Sequence, residues 1–281
     1  MSLLWPDELR IVLAPEQVVL VRLAWRLTRH GPIPRVTAKS IVDFQPAAAD
    51  EAAWDTALKA LETEMSRLLP RKAVARVVLS NHFMRYTLVP WSESLSDAAE
   101  EQAYARHCFR MIYGADAEQW ELRLSPERDE FPQLASAVDS RLLAALRAMF
   151  ERNGVVLKSV QPRLMAAYNN CRPALRECSA WFALYEPGSL CLALLQQGHW
   201  ASVRTLRSGS RWGDTLALAL EREAYLAEAD EMPREVFLWA PELGKTALPE
   251  SGHWIIHALQ PQLRAPLAAE YDERFAMALS G

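Results

Sequence analysis

"WFALYEPGSLCLALLQQG" (181–198) decides how the chain is read. Two apolar, β-forming runs flank Glu186-Pro187-Gly188, and Pro-Gly is a turn signal. The segment therefore predicts a strand, a tight turn and a second strand. A turn of this shape is also where some proteins hold a nucleotide phosphate. Whether it does so here, or only keeps the shape, is the functional question.

Working outward, "HWASVRTLRSG" (199–209) adds a third strand of a meander. "WGDTLALALEREAYLAEA" (212–229) is helical, and "EVFLWAP" (235–241) is another strand. The same order stands at the start of the chain. "RIVLAP" (10–15), "QVVLVRLAWR" (17–26) and "RVTAKSIVDF" (35–44) are strands. In "DEAAWDTALKALETEMSRLL" (50–69), Trp54, Leu58, Leu61, Met65 and Leu68 share one helical face, with Asp50 as the expected cap. "ARVVLSN" (75–81) closes the unit as a strand. Both halves read β-β-β-α-β, a repeat of architecture rather than of sequence.

Between them lies a different block. "FMRYTLVPW" (83–91) is a strand ended by Pro90, and "SDAAEEQAYARHCFRMIYG" (96–114) a helix with Ser96 as its cap. "QWELRLS" (119–125) and "QLASAVD" (133–139) are strands, and "SRLLAALRAMFERNG" (140–154) is a helix closed by Asn153-Gly154. "VVLKSV" (155–160) and the helix "PRLMAAYNN" (162–170) complete it. The fold class is α/β, mixed with α+β. Two RNase H-like βββαβ units in an actin-like arrangement, with an inserted α/β subdomain, are expected. The expected division is a first lobe over 1–172, carrying the insert at about 82–160, and a smaller second lobe over 173–281.

At 281 residues the chain is long enough for two modest domains. It is 51% hydrophobic and 23% charged with a net charge of −4, ordinary for a globular protein and lacking the basic excess of nucleic-acid binders. No apolar run approaches the roughly 18–20 residues that span a bilayer. "MSLLWPDELR" lacks the basic and apolar regions of a signal peptide, so a cytoplasmic protein without membrane insertion is expected. Cys108, Cys171, Cys178 and Cys191 have no metal-ligand spacing and read as reduced thiols.

Three phrases carry a family resemblance. "VVLSNHFMRYTLVPW" (77–91) is similar to the strand and R-x-x-x-x-P strand of type IV pilus assembly proteins of the PilM group. "LLAALRAMFERNGVVLKSVQPRLMAAYNN" (142–170) resembles that group's helix–strand–helix passage. "WFALYEPGSLCLALLQQGHWASVRTLRSG" (181–209) resembles the opening of its second domain. GspL proteins of type II secretion and MshI proteins share this layout. The resemblance implies an actin-like cytoplasmic component that organises an inner-membrane assembly platform, with membrane proteins of that platform as partners. GspL proteins carry a membrane helix after this domain. Its absence here favours a free-standing protein of the PilM kind.

Actin-like ATPases clamp nucleotide between two hairpins, each with an Asp ahead of Gly and small hydroxyl residues, and a later Gly-Gly turn admits adenosine. The first hairpin here, Ala14-Pro15-Glu16-Gln17, has no Gly, and Pro15 removes a donor. In the second, Glu186 stands for Asp and Ser189 for the hydroxyl around Gly188, but Pro187 again removes an N–H. The third turn is Pro241-Glu242-Leu243-Gly244, with Lys245 near enough to meet a phosphate. One loop in three is tolerably kept, so the expectation is a non-enzymatic scaffold with degenerate nucleotide loops and no cofactor. The alternative is an ATPase holding Mg-ATP between its lobes with Glu186, Gly188, Ser189 and Lys245.

Other constellations are weaker. His253 and His257 lie four apart but in an Ile-rich segment that reads as a strand, with no HExxH glutamate. Cys108 and His107 are helical neighbours that point apart. "SGSRWGD" (208–214) is either an anion-binding helix entry using Gly209, Arg211 and Gly213, or an entry turn capped by Asp214. A nuclease would need a carboxylate cluster, for which Asp43, Asp139 and Glu186 are the candidates. Asp129-Glu130 and Glu221-Glu223 read as solvated acids. Of ten tryptophans, Trp91 and Trp212, with Arg85 and Arg211, lie at expected element ends and are the candidate partner-binding residues. A homo-oligomer is left open.

Overall fold

The computed structural model describes residues 5–29, 31–48, 51–68, 73–95, 97–209, 211–226, 232–243, 248, 252–263 and 265–280. Strands β1 (Asp7–Leu13), β2 (Gln17–Thr28) and β3 (Gly31–Asp43) form an antiparallel meander. Helix α1 (Asp55–Leu68) leads to β4 (Ala73–Leu79), which lies parallel to β1. Then follow β5 (Met84–Val89), α2 (Ala98–Tyr113), β6 (Trp120–Leu124), β7 (Gln133–Asp139), α3 (Ser140–Arg152), β8 (Val155–Pro162) and α4 (Arg163–Leu175). The second meander is β9 (Ala180–Glu186), β10 (Ser189–Gln196) and β11 (His199–Arg207). Helix α5 (Trp212–Leu226), β12 (Glu235–Trp239), β13 (Ile255–Ala258) and the short α6 (Ala265–Ala268) and α7 (Ala276–Ser280) end the described chain. No described helix is long and apolar enough to cross a membrane.

Two five-stranded sheets have the same order, β3-β2-β1-β4-β8 and β11-β10-β9-β12-β13. In each, three antiparallel strands are continued by two parallel ones. This is the doubled RNase H-like plan that the element order predicts. The first strand of each unit is central, and in the second unit its burial on both faces is why it reads as a nearly continuous apolar run. All five residues from Ala180 to Leu184 are fully buried. On one face Trp181, Ala183 and Leu192 pack with Leu216 and Leu220 of α5. Burial of side chains this size is worth about 1.5–3 kcal/mol each, so the central strands anchor their units.

Local signals place the helices with small corrections. Helix α2 is capped by Asp97 rather than Ser96, which lies outside the described residues. Asp97 Oδ1 accepts the backbone N–H groups of Ala99 and Glu100 at 2.8 and 2.9 Å. Helix α1 starts at Asp55, and the expected cap Asp50 is likewise outside the described residues. Its buried face is Ala57, Leu61, Glu64 and Met65. Asn153 and Gly154 close α3: Asn153 Nδ2 donates to the Met149 carbonyl at 2.8 Å, and Gly154 takes φ 66°.

Contacts divide the chain differently from the linear division at 172. One compact unit comprises Met1–Phe83, Ser140–Asn170 and Pro261–Gly281; the other comprises Met84–Asp139 and Cys171–Gln260. Strand β8, expected inside the insert, pairs in parallel with β4 from Ala73↔Val155 to Leu79↔Pro162 and completes the first sheet. The insert proper is the three-stranded sheet β5-β7-β6 with α2. It groups with the second unit, where the loop after β6 is tied to β11. Glu127 Oε1 lies 3.1 Å from His199 Nδ1, and the Phe131 ring stacks on the imidazole. The C-terminal segment returns to the first unit, where Asn170 Oδ1 accepts from Gln262 N at 2.8 Å and Arg10 Nη1 donates to the Leu279 carbonyl at 2.9 Å.

Candidate functional site

The β9–β10 register pairs Glu186 with Ser189, leaving only Pro187 and Gly188 in the turn. Proline fixes its own φ near −65°, and Gly188 takes φ 81°. Together these are the angles of a type II turn, whose third position favours glycine. The Gly188 carbonyl accepts the Ser208 N–H at 3.1 Å, fastening the end of β11 to the turn. Glu186, Ser189 and Ser208 are all buried, at 2%, 3% and 6% exposure. Among the described residues neither Ser189 Oγ nor Ser208 Oγ has a hydrogen-bond partner. An unpartnered buried hydroxyl costs about 1–3 kcal/mol, so two beside one glycine turn leave bonding capacity unused. Behind it, burial pushes the Cys191 thiol up to about 12, the Thr205 hydroxyl pulls it back, and the Glu186 carboxylate adds to the rise. Ser208 was not singled out by sequence reasoning, because its place beside Gly188 depends on the strand pairing.

The first hairpin offers no such capacity. Leu13 pairs with Val18, and the Ala14 N–H is committed to the Gln17 carbonyl at 3.0 Å. Gln17 Nε2 in turn donates to Asp43 Oδ1 at 2.7 Å. Pro15 has no N–H, so neither Ala14 nor Pro15 presents a free backbone donor in this turn. The third turn is a 3-10 segment, Pro241–Leu243, closed by Leu243 N donating to the Ala240 carbonyl at 3.1 Å. Gly244 and Lys245 lie outside the described residues.

The four candidate partner-binding residues have different surroundings. Arg85 lies over the Trp120 ring at 6.0 Å and donates to the Met84 carbonyl at 2.7 Å. Trp91, 41% exposed, lines a groove of about 230 Å³ at the end of β5. Arg211 is exposed and lies 3.6 Å from Asp214 Oδ2 across the first turn of α5. Trp212 corrects the expectation: it is buried at 9% exposure and packs on Tyr185, ring centroids 4.9 Å apart. Its ring shares the core face of α5 with Leu216, Ala219 and Leu220.

The weaker constellations resolve similarly. His257 Nε2 bonds Glu235 Oε2 on the neighbouring strand rather than His253, whose ring lies against Trp254. Asp43, Asp139 and Glu186 stand on strands of three different sheets, which is not the adjacent-strand arrangement a nuclease needs. Glu223 is not solvated: it is buried and meets Arg204 Nε at 3.4 Å. Asp129 is exposed and lines the groove beside Trp91.

A PilM–PilN type IV pilus biogenesis complex superimposes with TM-score 0.66 over 97% of this chain and 96% of that one, at 16% identity. The chain has an actin-like fold. The cytoplasmic domain of EpsL, an inner-membrane component of the Vibrio cholerae type II secretion system, matches at TM-score 0.55 and 14% identity, over 90% of each chain. A Bacteroides thetaiotaomicron protein with an actin-like ATPase fold matches at 0.52 and 8%, over 83% of this chain and 80% of that one. No protein-family model matches the sequence, and no curated protein is significantly similar to it. The resemblance to the PilM group and to type II secretion components thus holds for the fold along nearly the whole chain. At these identities it fixes architecture, and the turn chemistry has to be judged on this chain's own residues.

Proposed function

We propose that this protein is a non-enzymatic adaptor of a type IV pilus or type II secretion platform, acting at the cytoplasmic face of the inner membrane. The observation that carries the reading is the first hairpin. Ala14's N–H is consumed by Gln17, Pro15 has none, and no glycine is present, so the two-sided phosphate clamp of an actin-like ATPase is half missing. The whole-chain likeness to components of pilus and secretion platforms supports the choice of machine. The partners are membrane proteins of that platform. The test is deletion of the gene in its host, scored for surface pili and for release of secreted proteins, with a tagged copy followed at the cell envelope. Loss of either activity and envelope recruitment supports the reading; normal piliation and secretion overturn it.

A second reading rests on Ser189 and Ser208. Two buried hydroxyls without partners among the described residues, beside a glycine turn and a buried carboxylate, suit one phosphate side of a nucleotide site. Thermal melting with millimolar Mg-ATP and Mg-ADP separates the two, because a ligand of the folded state raises the midpoint. A rise abolished by Glu186→Ala assigns the hairpin to nucleotide. An unchanged midpoint leaves the turn as architecture.

A further inference from the structure

The hairpin of β2 and β3 outruns its sheet. Strand β1 pairs with β2 from Leu13↔Val18 only as far as Glu8↔Leu23, whereas β2 and β3 stay paired to Thr28↔Gly31. The hairpin leaves the sheet at a bulge: Arg22 pairs with Ala38 and Leu23 with Val36, so Thr37 is left over. Such a bulge bends a strand and adds to its twist. Beyond it, residues 24–28 and 31–35 form a two-stranded ribbon with no third strand among the described residues. Opposed residues of an antiparallel pair share a face, and the faces alternate along the strand. Trp25 with Pro34 and Leu27 with Pro32 therefore make one apolar face. Ala24 with Arg35 and Arg26 with Ile33 make the other, which carries two guanidiniums. Leu27 is 59% exposed, and Arg26, Arg29, Pro32 and Arg35 are exposed as well. From 17 to 42 the sequence has five Lys or Arg and no Asp or Glu, where the chain's average of 35 acids in 281 residues would place about three. Arg22 is held by Asp7 at 2.6 Å, and Lys39 lies 3.7 Å from Glu270. Arg26, Arg29 and Arg35 form no ion pair with a described residue. A chain of net charge −4 thus carries an acid-free cationic ribbon with an apolar face.

We infer that this ribbon rests on the surface of a lipid bilayer that carries anionic headgroups. An apolar face sinks about 5–10 Å into the boundary between headgroups and acyl chains, which leaves the opposite face at headgroup depth. Leu27 and Trp25 then enter the boundary, where indole is at home, while Arg26, Arg29 and Arg35 meet lipid phosphates. Other occupants use less of the arrangement. Strand β3 is the edge of its sheet, and Pro32 and Pro34 lack the N–H groups that a further strand would bond, so addition of a polypeptide strand is disfavoured. A nucleic acid would take up the cations but leave Leu27 and Pro32 in water. A bilayer uses both faces. The inference rests on the ribbon alone and needs neither the adaptor reading nor a protein partner.

The test is flotation of the purified full chain with two kinds of vesicle, one of phosphatidylcholine alone and one of phosphatidylcholine mixed with phosphatidylglycerol. Capture by the anionic vesicles is expected at about 0.05 M salt, weakening towards 0.5 M as screening requires, with little capture by the neutral ones. Each cation near an anionic surface contributes about fivefold, so Arg26→Gln/Arg29→Gln/Arg35→Gln is expected to lower the partition coefficient roughly a hundredfold. Leu27→Ser keeps every charge and is expected to lower it about tenfold through lost apolar burial. Should the triple variant melt early, the single exposed change Arg26→Glu carries the same comparison. Equal capture of the charge variants, or equal capture by neutral vesicles, overturns the inference. So does Leu27→Ser that partitions like the wild type, because attraction by charge alone leaves the apolar face without a role. A DNA duplex that the wild type binds more tightly than anionic vesicles, and that the triple variant no longer binds, makes nucleic acid the occupant and overturns it too.

Discussion

Replacing Ser189 by alanine should make the protein more stable. The side chain is 3% exposed and its hydroxyl has no partner among the described residues, so folding removes it from water without a bond in exchange. That loss is about 1–3 kcal/mol. Deleting the oxygen leaves a void of roughly 10–15 Å³, which at about 24 cal/mol per Å³ costs roughly 0.3 kcal/mol. The expected net is about 1 kcal/mol of stabilisation, or about 2–4 °C in the midpoint of a unit this size. Ser208→Ala, at 6% exposure, is expected to behave alike. Because the Ser208 N–H bonds the Gly188 carbonyl, the two sites touch and the double variant need not be additive. Urea unfolding and calorimetry of the three variants measure this directly. Destabilisation of Ser189→Ala by more than about 1 kcal/mol would mean that the hydroxyl does have a bond in solution, and that its bonding capacity is already used. The same variants carry the functional comparison. A serine retained at a stability cost is explained if Mg-ATP raises the wild-type midpoint and leaves Ser189→Ala unmoved.

Three further outcomes are expected. Trp212→Ala should cost about 3–5 kcal/mol in urea unfolding, because the ring is buried against Tyr185 and the core of α5, whereas a surface role predicts a loss within about 0.5 kcal/mol. Burial pushes both Cys171 and Cys191 thiols from 9.0 up to about 12. Above pH 9 the unfolded chain releases protons that these folded thiols keep, so stability is fully present below pH 9 and falls between about pH 9 and 12. Mass spectrometry after brief alkylation at pH 8 should find both unmodified in the folded protein. Asn170→Ala removes its bonds with Gln262 at 2.8 and 2.9 Å, and should lower stability by about 1–2 kcal/mol and speed tryptic cleavage after Arg274. Unchanged cleavage would mean that the returning C-terminal segment is held by its buried apolar residues alone.

The parts of the fold legible in the sequence were those set by local pattern. Apolar runs broken by Pro15 or by Pro187-Gly188 give strand pairs whatever surrounds them, and the change from period two to period 3.6 marks α1 and α5. What was not legible depended on pairings between distant residues. Strand β8 could not be placed in the first sheet without knowing its partner β4, some 80 residues earlier in the chain. The allegiance of the insert to the second unit turns on contacts such as Glu127 with His199, and neither residue announces the other. Trp212 is a different kind of miss. Its spacing to Leu216, Ala219 and Leu220 places it on the buried stripe of its helix, and that spacing outweighs its position at an element end. For the candidate site, the turn was readable at Gly188, but the second hydroxyl was not, because Ser208 reaches it only through the register of β10 and β11.

The two hairpins occupy equivalent places in two copies of one topology, yet they differ in what they leave unbonded. In the first, every change can be absorbed as ordinary turn stability: Pro15 limits the unfolded chain, and Ala14 and Gln17 bond each other. In the second, the glycine with φ 81° is what a type II turn requires, but two hydroxyls without a partner among the described residues remain, and each is a local cost that a purely structural turn does not need. A turn with no ligand therefore accounts for the first hairpin but not for the two hydroxyls of the second. Either the two serines of the second hairpin serve no ligand, or that hairpin meets an anion that needs only one side. The serine-to-alanine stabilities bear on the difference. A gain in stability with no loss in any binding assay means that nothing acts to keep the hydroxyls. A gain accompanied by loss of phosphate or nucleotide binding means that stability has been given up to hold a ligand.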